Sequence, residues 1–93
     1  MLFLTQILHS EVGIVNNEVQ NRFETEIDGG IAFLDYLYYQ GDLALTYTFV
    51  PPKSRGQGIA FELVHFALEF AKAENLKVMI GCATVSIYIE QHP

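Results

Sequence analysis

Val50-Pro51-Pro52-Lys53-Ser54-Arg55-Gly56-Gln57-Gly58-Ile59-Ala60 is the stretch on which the architecture turns. Its double proline offers no N–H to a β-ladder, so a strand ends at Val50. A helix follows: from Ile59 to Glu74 the polar residues Glu62, His65, Glu69 and Lys72 recur every three or four positions, and apolar side chains fill the rest of the circumference. That spacing predicts a helix with one narrow wetted stripe, set deeply on a sheet, with His65 in solvent. Asn75 suits a left-handed C-cap. Lys77 to Gly81 reads as a short apolar strand and Thr84 to Gln91 as one or two helical turns capped by Thr84 or a neighbour. Strand, loop, helix and strand make a βαβ unit, in which the two strands lie parallel through a right-handed crossover.

Upstream of Val50 the pattern changes to hairpins. Leu43 to Val50 is joined through Gln40-Gly41-Asp42 to a β-rich run from Ile31 to Tyr39. Asp28-Gly29-Gly30 joins that run to Arg22–Asp28, where Phe23, Thr25 and Ile27 alternate with polar residues. Asn16-Asn17 reads as a turn after a short strand at Val12–Val15, and residues 1 to 11 fit an extra strand, a helix or a partner contact. The fold class expected is α+β: an antiparallel meander followed by a βαβ unit in one mixed sheet, a single domain over residues 1–93.

Composition limits what such a domain does. Apolar residues are 51% of the 93 and charged residues 17%, a balance that folds rather than stays disordered. The net charge of −6 argues against a nucleic-acid or anionic-membrane partner, both of which select positive charge. Residues 1 to 50 carry one cation, Arg22, whereas Lys53 and Arg55 sit together in the loop after Val50, the natural place for an anion. The lone Cys82 and the apolar but unbasic first eight residues point to the cytoplasm. His9, His65, His92 and Cys82 have no metal-ligand spacing, so no metal is expected.

In open α/β sheets ligands gather at the carboxyl ends of parallel strands, which here are Val50 and Gly81-Cys82. The loop between Val50 and Ile59 leads into a helix start, where N–H groups lack internal partners and attract phosphate oxygens. Gly56 and Gly58 let a ligand approach the backbone, and Ala60 keeps the first turn small. The loop is not a Walker motif, which needs G-x-x-x-x-G-K followed by Ser or Thr. It is not a dinucleotide fingerprint either, because Phe61 stands where a third glycine belongs.

Arg55-Gly56-Gln57-Gly58-Ile59-Ala60 resembles the R/Q-x-x-G-x-G/A signature of the GNAT acetyltransferase superfamily. With Val50-Pro51-Pro52 before it and Cys82, Tyr88-Ile89 and His92-Pro93 after the helix, the chain is similar to the small single-domain, YjdJ-like branch. The resemblance implies the acyl-CoA N-acyltransferase fold, with acetyl-coenzyme A as co-substrate. It places the diphosphate on the N–H groups of Gln57 to Ala60, with Arg55 reinforcing them, and pantetheine along the strand end at Phe49 and Val50.

The activity implied is N-acetyl transfer to an amine, which the acidic first half would favour as a cation. Cys82 lies at a strand end just before a helix start, a setting that suits a reactive thiol. It either carries the acetyl group covalently, lines the pocket beside the thioester, or is an inert buried cysteine. The resemblance also offers Tyr88 as an acid for the leaving thiolate, the alternative being ordinary half-buried packing with its hydroxyl satisfied. Asp35, on a strand among apolar neighbours, is a weaker candidate base and reads first as a hydrogen-bonded or edge-exposed carboxylate.

Two departures from the branch count. Thr46-Tyr47-Thr48 replaces a strand that often carries histidine, and a phenol is a poor base at neutral pH. The chain also stops at Pro93, short of the residues expected after His92. For the enzyme, a chain this short leaves an acceptor groove that is open, shallow or completed by a protein partner or a second copy; the alternative is a coenzyme-A-binding or protein-interaction module without turnover on the same fold.

Overall fold

The computed structural model describes residues 13–92, and the reading of residues 1–11 lies outside them. Five strands form one sheet: β1 (Val15–Asn17), β2 (Arg22–Ile27), β3 (Gly30–Tyr39), β4 (Asp42–Phe49) and β5 (Val78–Ile80), neighbours in that order. The first four run antiparallel and β5 lies parallel to β4. Helix α1 (Ile59–Ala73) makes the crossover, and α2 (Ala83–Gln91) follows β5.

The hairpins form where the sequence places them. Asp28 and Gly29, at φ 47° and 81°, form the two-residue turn between β2 and β3, and Gln40 and Gly41 repeat it between β3 and β4. Paired positive φ values match the right-handed twist of the flanking strands. At the end of α1, Asn75 turns left-handed at φ 58° and the Leu76 N–H returns to the Ala71 carbonyl at 2.8 Å.

Asn16-Asn17 is not the first turn. Both residues belong to β1, opposite Phe23 and Arg22, and the chain reverses over residues 18–21 instead. Their side chains explain the shift. Asn17 Oδ1 accepts the Gln20 N–H at 3.1 Å, and Asn16 Oδ1 accepts the buried Tyr36 hydroxyl at 2.6 Å.

The core lies between one sheet face and α1. Phe23 is fully buried and sits 4.7 Å from the Tyr36 ring, 5.5 Å from Phe66 and 5.4 Å from Phe70. Leu34, Leu43 and Leu45 from the strands meet Leu63, Val64, Ala67 and Ala71 from the helix. The polar stripe on α1 is narrower than its spacing implies. Glu69 and Lys72 are exposed, but His65 is half-buried, its Nδ1 3.2 Å from the Tyr88 hydroxyl on α2.

β5 ends early. Its pairing with β4 runs from Leu43↔Val78 to Leu45↔Ile80, and the Gly81 N–H adds a last bond to the Leu45 carbonyl at 2.8 Å. β4 continues to Phe49, so its final residues have no strand beside them on that edge among the described residues. No helix among the described residues is long and apolar enough to cross a membrane.

Candidate coenzyme site at the end of the fourth strand

The free end of β4, the loop after it and the first turn of α1 enclose a cavity of about 530 Å³. Its walls are drawn from within residues 47–61, where Tyr47–Val50, Ser54–Gly56 and Gly58–Phe61 contribute, with Thr84 of α2 as the exception. Phe49, Val50, Arg55, Gly56, Gly58, Ile59 and Ala60, all named from the sequence, line it; Gln57 lies in the same loop but does not.

The loop presents its backbone. Pro52–Ser54 makes one 3₁₀ turn, and Gly56 and Gly58 then take φ of 81° and 84°. Gly58 occupies the N-cap of α1 with no side-chain cap. The first helical bond belongs to Glu62, whose N–H reaches the Gly58 carbonyl at 3.1 Å. The N–H groups from Gly56 through Phe61 donate to no acceptor among the described residues. They sit at the positive end of a fifteen-residue helix, an arrangement that selects an anion.

Arg55 and Ser54 brace this loop. The Arg55 Nε donates to the Val50 carbonyl at 2.8 Å, and its guanidinium carbon is 5.8 Å from the Phe49 ring centroid. The terminal guanidinium nitrogens donate to nothing among the described residues, which leaves them for a second acceptor. Ser54 is fully buried, its hydroxyl 3.4 Å from Asp28 Oδ2 in the β2–β3 hairpin.

Cys82 and Val50 do share one end of the sheet. The half-buried Cys82 is the N-cap of α2 in extended conformation, and its Sγ shares a 3.4 Å hydrogen bond with Thr48 Oγ1, a cavity-lining residue. Cys82, rather than Thr84, starts the helix, and Thr84 faces the cavity instead.

Tyr88 stands elsewhere. Its hydroxyl meets His65, its ring stacks on His92 at 4.1 Å, and the edge of Phe61 separates it from the cavity. An acid for a leaving thiolate must come within hydrogen-bond reach of it. Tyr88→Phe is therefore expected to leave the rate of thiol release within about twofold of the parent and to cost about 1 kcal/mol for the lost His65 contact. Parallel thiol-release and urea-unfolding measurements check both.

Residues that the loop motif does not mark also belong to the site. Thr48 and Thr84 complete the wall near Cys82, and Ser54 packs beneath the loop. The signal for Thr48 was its place two residues before the strand end, on the same sheet face as Val50. Among the described residues, no three His, Cys, Asp or Glu side chains converge as a metal site would require.

Comparison with known proteins fits this geometry. A crystal structure of a predicted acetyltransferase with acetyl-CoA from Clostridium acetobutylicum superposes with a TM-score of 0.55 at 18% identity, covering 99% of this chain and 67% of that one. It shows the same fold, a mixed sheet with the crossover helix on one face. Protein NATD1 of Xenopus tropicalis is 29% identical over 87 residues, 90% of this chain and 80% of that protein. The human Protein NATD1 is 39% identical over 49 residues, and the chain spans less than half of that relative's length, 43%. A sequence model described as GCN5-related N-acetyl-transferase matches residues 22–93, from β2 to the final proline, and the chain belongs to that family.

Proposed function

We propose that this protein is an acetyl-coenzyme A-dependent N-acetyltransferase, acting on a cationic amine in the cytoplasm. One observation carries the reading: a single cavity is lined both by the glycine loop and first helical turn, whose N–H groups are unpartnered, and by Thr48, the hydrogen-bond partner of Cys82. The residues present fit the coenzyme. Gly56 and Gly58 have open space where a Cβ would stand, the loop amides and Arg55 suit a diphosphate, and Phe49, Val50 and Ile59 suit a pantetheine arm.

Bound acetyl-coenzyme A would supply an activated acetyl thioester. The protein holds and orients it: the amides of Gly56–Phe61 and Arg55 fix the phosphate end, and the free edge of β4 offers main-chain groups to the pantetheine amides. Acyl transfer then needs an unprotonated amine to form the C–N bond, a donor for the developing oxyanion, and, as the C–S bond breaks, transfer of the amine's proton to the departing coenzyme thiolate. Cys82 does not itself line the cavity; its thiol lies one residue behind the wall, 3.4 Å from the Oγ1 of the lining Thr48.

Cys82 has two roles to choose between, nucleophile or support behind the wall. Incubation with acetyl-coenzyme A followed by intact-mass spectrometry separates them. A stable acetyl adduct on the parent that vanishes in Cys82→Ala supports a covalent route. Full transfer activity in Cys82→Ala, with no adduct on the parent, leaves direct attack by the amine. Coenzyme A binding without transfer to any amine would favour the non-catalytic module; no binding by calorimetry removes the whole reading.

A further inference from the structure

The ladder between β3 and β4 slips at Asp35. Asp35 stands opposite Tyr47 and Tyr36 opposite Leu45, so Thr46 is the extra residue of a β-bulge, pinned by its hydroxyl on the Asp35 carbonyl at 3.3 Å. Bulges re-aim the side chains beside them.

Directly paired residues share a face of the sheet. By register, Asp35, Tyr47 and Arg22 lie on one face, and so do Phe33, Phe49 and Glu24. This is the face opposite α1, whose side chains pack on Phe23, Leu34 and Leu45. The Phe33 ring lies 5.5 Å from Phe49 and 6.0 Å from Tyr47, giving an aromatic surface beside the carboxylate.

Arg22 does not neutralise Asp35 by contact. Its Nε is on Glu24 Oε1 at 2.7 Å and its guanidinium carbon is 4.5 Å from the Phe33 ring centroid. Among the described residues no donor reaches the Asp35 carboxylate. Burial pushes that carboxyl above the usual carboxylate range, opposed by the charge of Arg22.

The cavity borders this face. Of its lining residues Tyr47 and Phe49 belong to the helix-free face by register and Thr48 to the other, so it lies along the edge of β4; Asp35 is not one of its walls but pairs directly with Tyr47, which is. With the coenzyme along the glycine loop, the helix-free side remains for the second reactant.

We propose that Asp35 anchors the acceptor: a primary alkylammonium enters over the helix-free face, its charge held by the Asp35 carboxylate and its methylenes laid on Tyr47 and Phe49. The proposal rests on the acetyltransferase reading above. The chemistry selects for charge, because a cation gains from both a carboxylate and aromatic faces whereas a neutral alcohol gains little from either.

Amide-resolved NMR on the protein saturated with coenzyme A tests this without turnover. Spermidine and Nα-acetyl-lysine methylamide represent the two sources of such a group, and n-butanol is the neutral control. Both amines are expected to shift the Asp35, Tyr47 and Phe49 amides, and their relative affinities tell a polyamine from a protein side chain. In Asp35→Asn their dissociation constants should rise about tenfold, as for loss of one charge-assisted hydrogen bond.

Glu26→Gln removes a charge from the same face, opposite Ile31, and should change the constants less than about twofold. Amines that shift nothing on this face, or lose equally in the two variants, overturn the assignment, as does n-butanol binding as well as they do. Asp35→Asn is isosteric and removes a charge that burial disfavours, so it is expected to fold, which its spectral dispersion verifies. If coenzyme A itself fails to bind, the acetyltransferase reading falls with the proposal; if it binds while the amines ignore Asp35, only the proposal falls.

Discussion

Gly58→Val is expected to lower coenzyme A affinity by about two orders of magnitude. Gly58 sits at φ 84° as the N-cap of α1, and a side chain there costs about 1–2 kcal/mol. No heavy atom lies within 4 Å of the position a Cβ would take, so the body of the fold is not obstructed. The loop relieves its strain by rotating out of the left-handed region, and that rotation re-aims the N–H groups of the first turn. Each hydrogen bond to a charged phosphate contributes about 1.5–3 kcal/mol, so losing one or two accounts for roughly a hundredfold. Calorimetric titration with coenzyme A measures it; an affinity within threefold of the parent would remove the glycine loop from the site.

Gly81→Val should unfold the domain at markedly lower denaturant. A Cβ at Gly81 would stand 2.8 Å from the Leu45 carbonyl oxygen and 3.3 Å from the Thr46 Cα. These are backbone atoms of a central strand and cannot swing aside, so β5 must move away from β4. The move breaks the 2.8 Å bond from the Gly81 N–H to Leu45, the last one joining the parallel pair. Overpacking of about 1–3 kcal/mol and a lost hydrogen bond of about 1 kcal/mol sum to about 2–4 kcal/mol. Small domains have about 5–15 kcal/mol in all, so the loss is a large share. Urea unfolding should show a lower midpoint with an unchanged slope, and Gly81→Ala a smaller drop of the same sign. A midpoint equal to the parent's would mean that the strands are not held at this spacing.

Features set by local chemistry were legible in the sequence. The double proline, the hairpin dipeptides and the α1 spacing each act within a few residues, and Ile59–Ala73 and both two-residue turns emerge where those signals lie. The nearness of Cys82 to the β4 end was legible too, because parallel strands joined by a right-handed crossover bring their carboxyl ends together.

What stayed hidden depends on distant partners. Asn16 looks like a turn residue until Tyr36, twenty positions away, claims its side chain. His65 looks solvated from its own helix, and only α2 supplies the Tyr88 hydroxyl. The bulge at Thr46 leaves no trace in an alternating strand, yet it sets which residues share a face with Asp35. Tyr88 is the same lesson in reverse: resemblance to the family offers it as an acid at the thioester, whereas its hydroxyl meets His65 on α1, the half-buried packing that its residue type also allows.

The walls of the cleft are drawn, Thr84 apart, from Tyr47 through Phe61. Groups so near one another along the chain meet by closing short loops, whose entropy cost is small. The loop and the first turn of α1 therefore need few distant contacts to take up their shape once the β4 edge is in place.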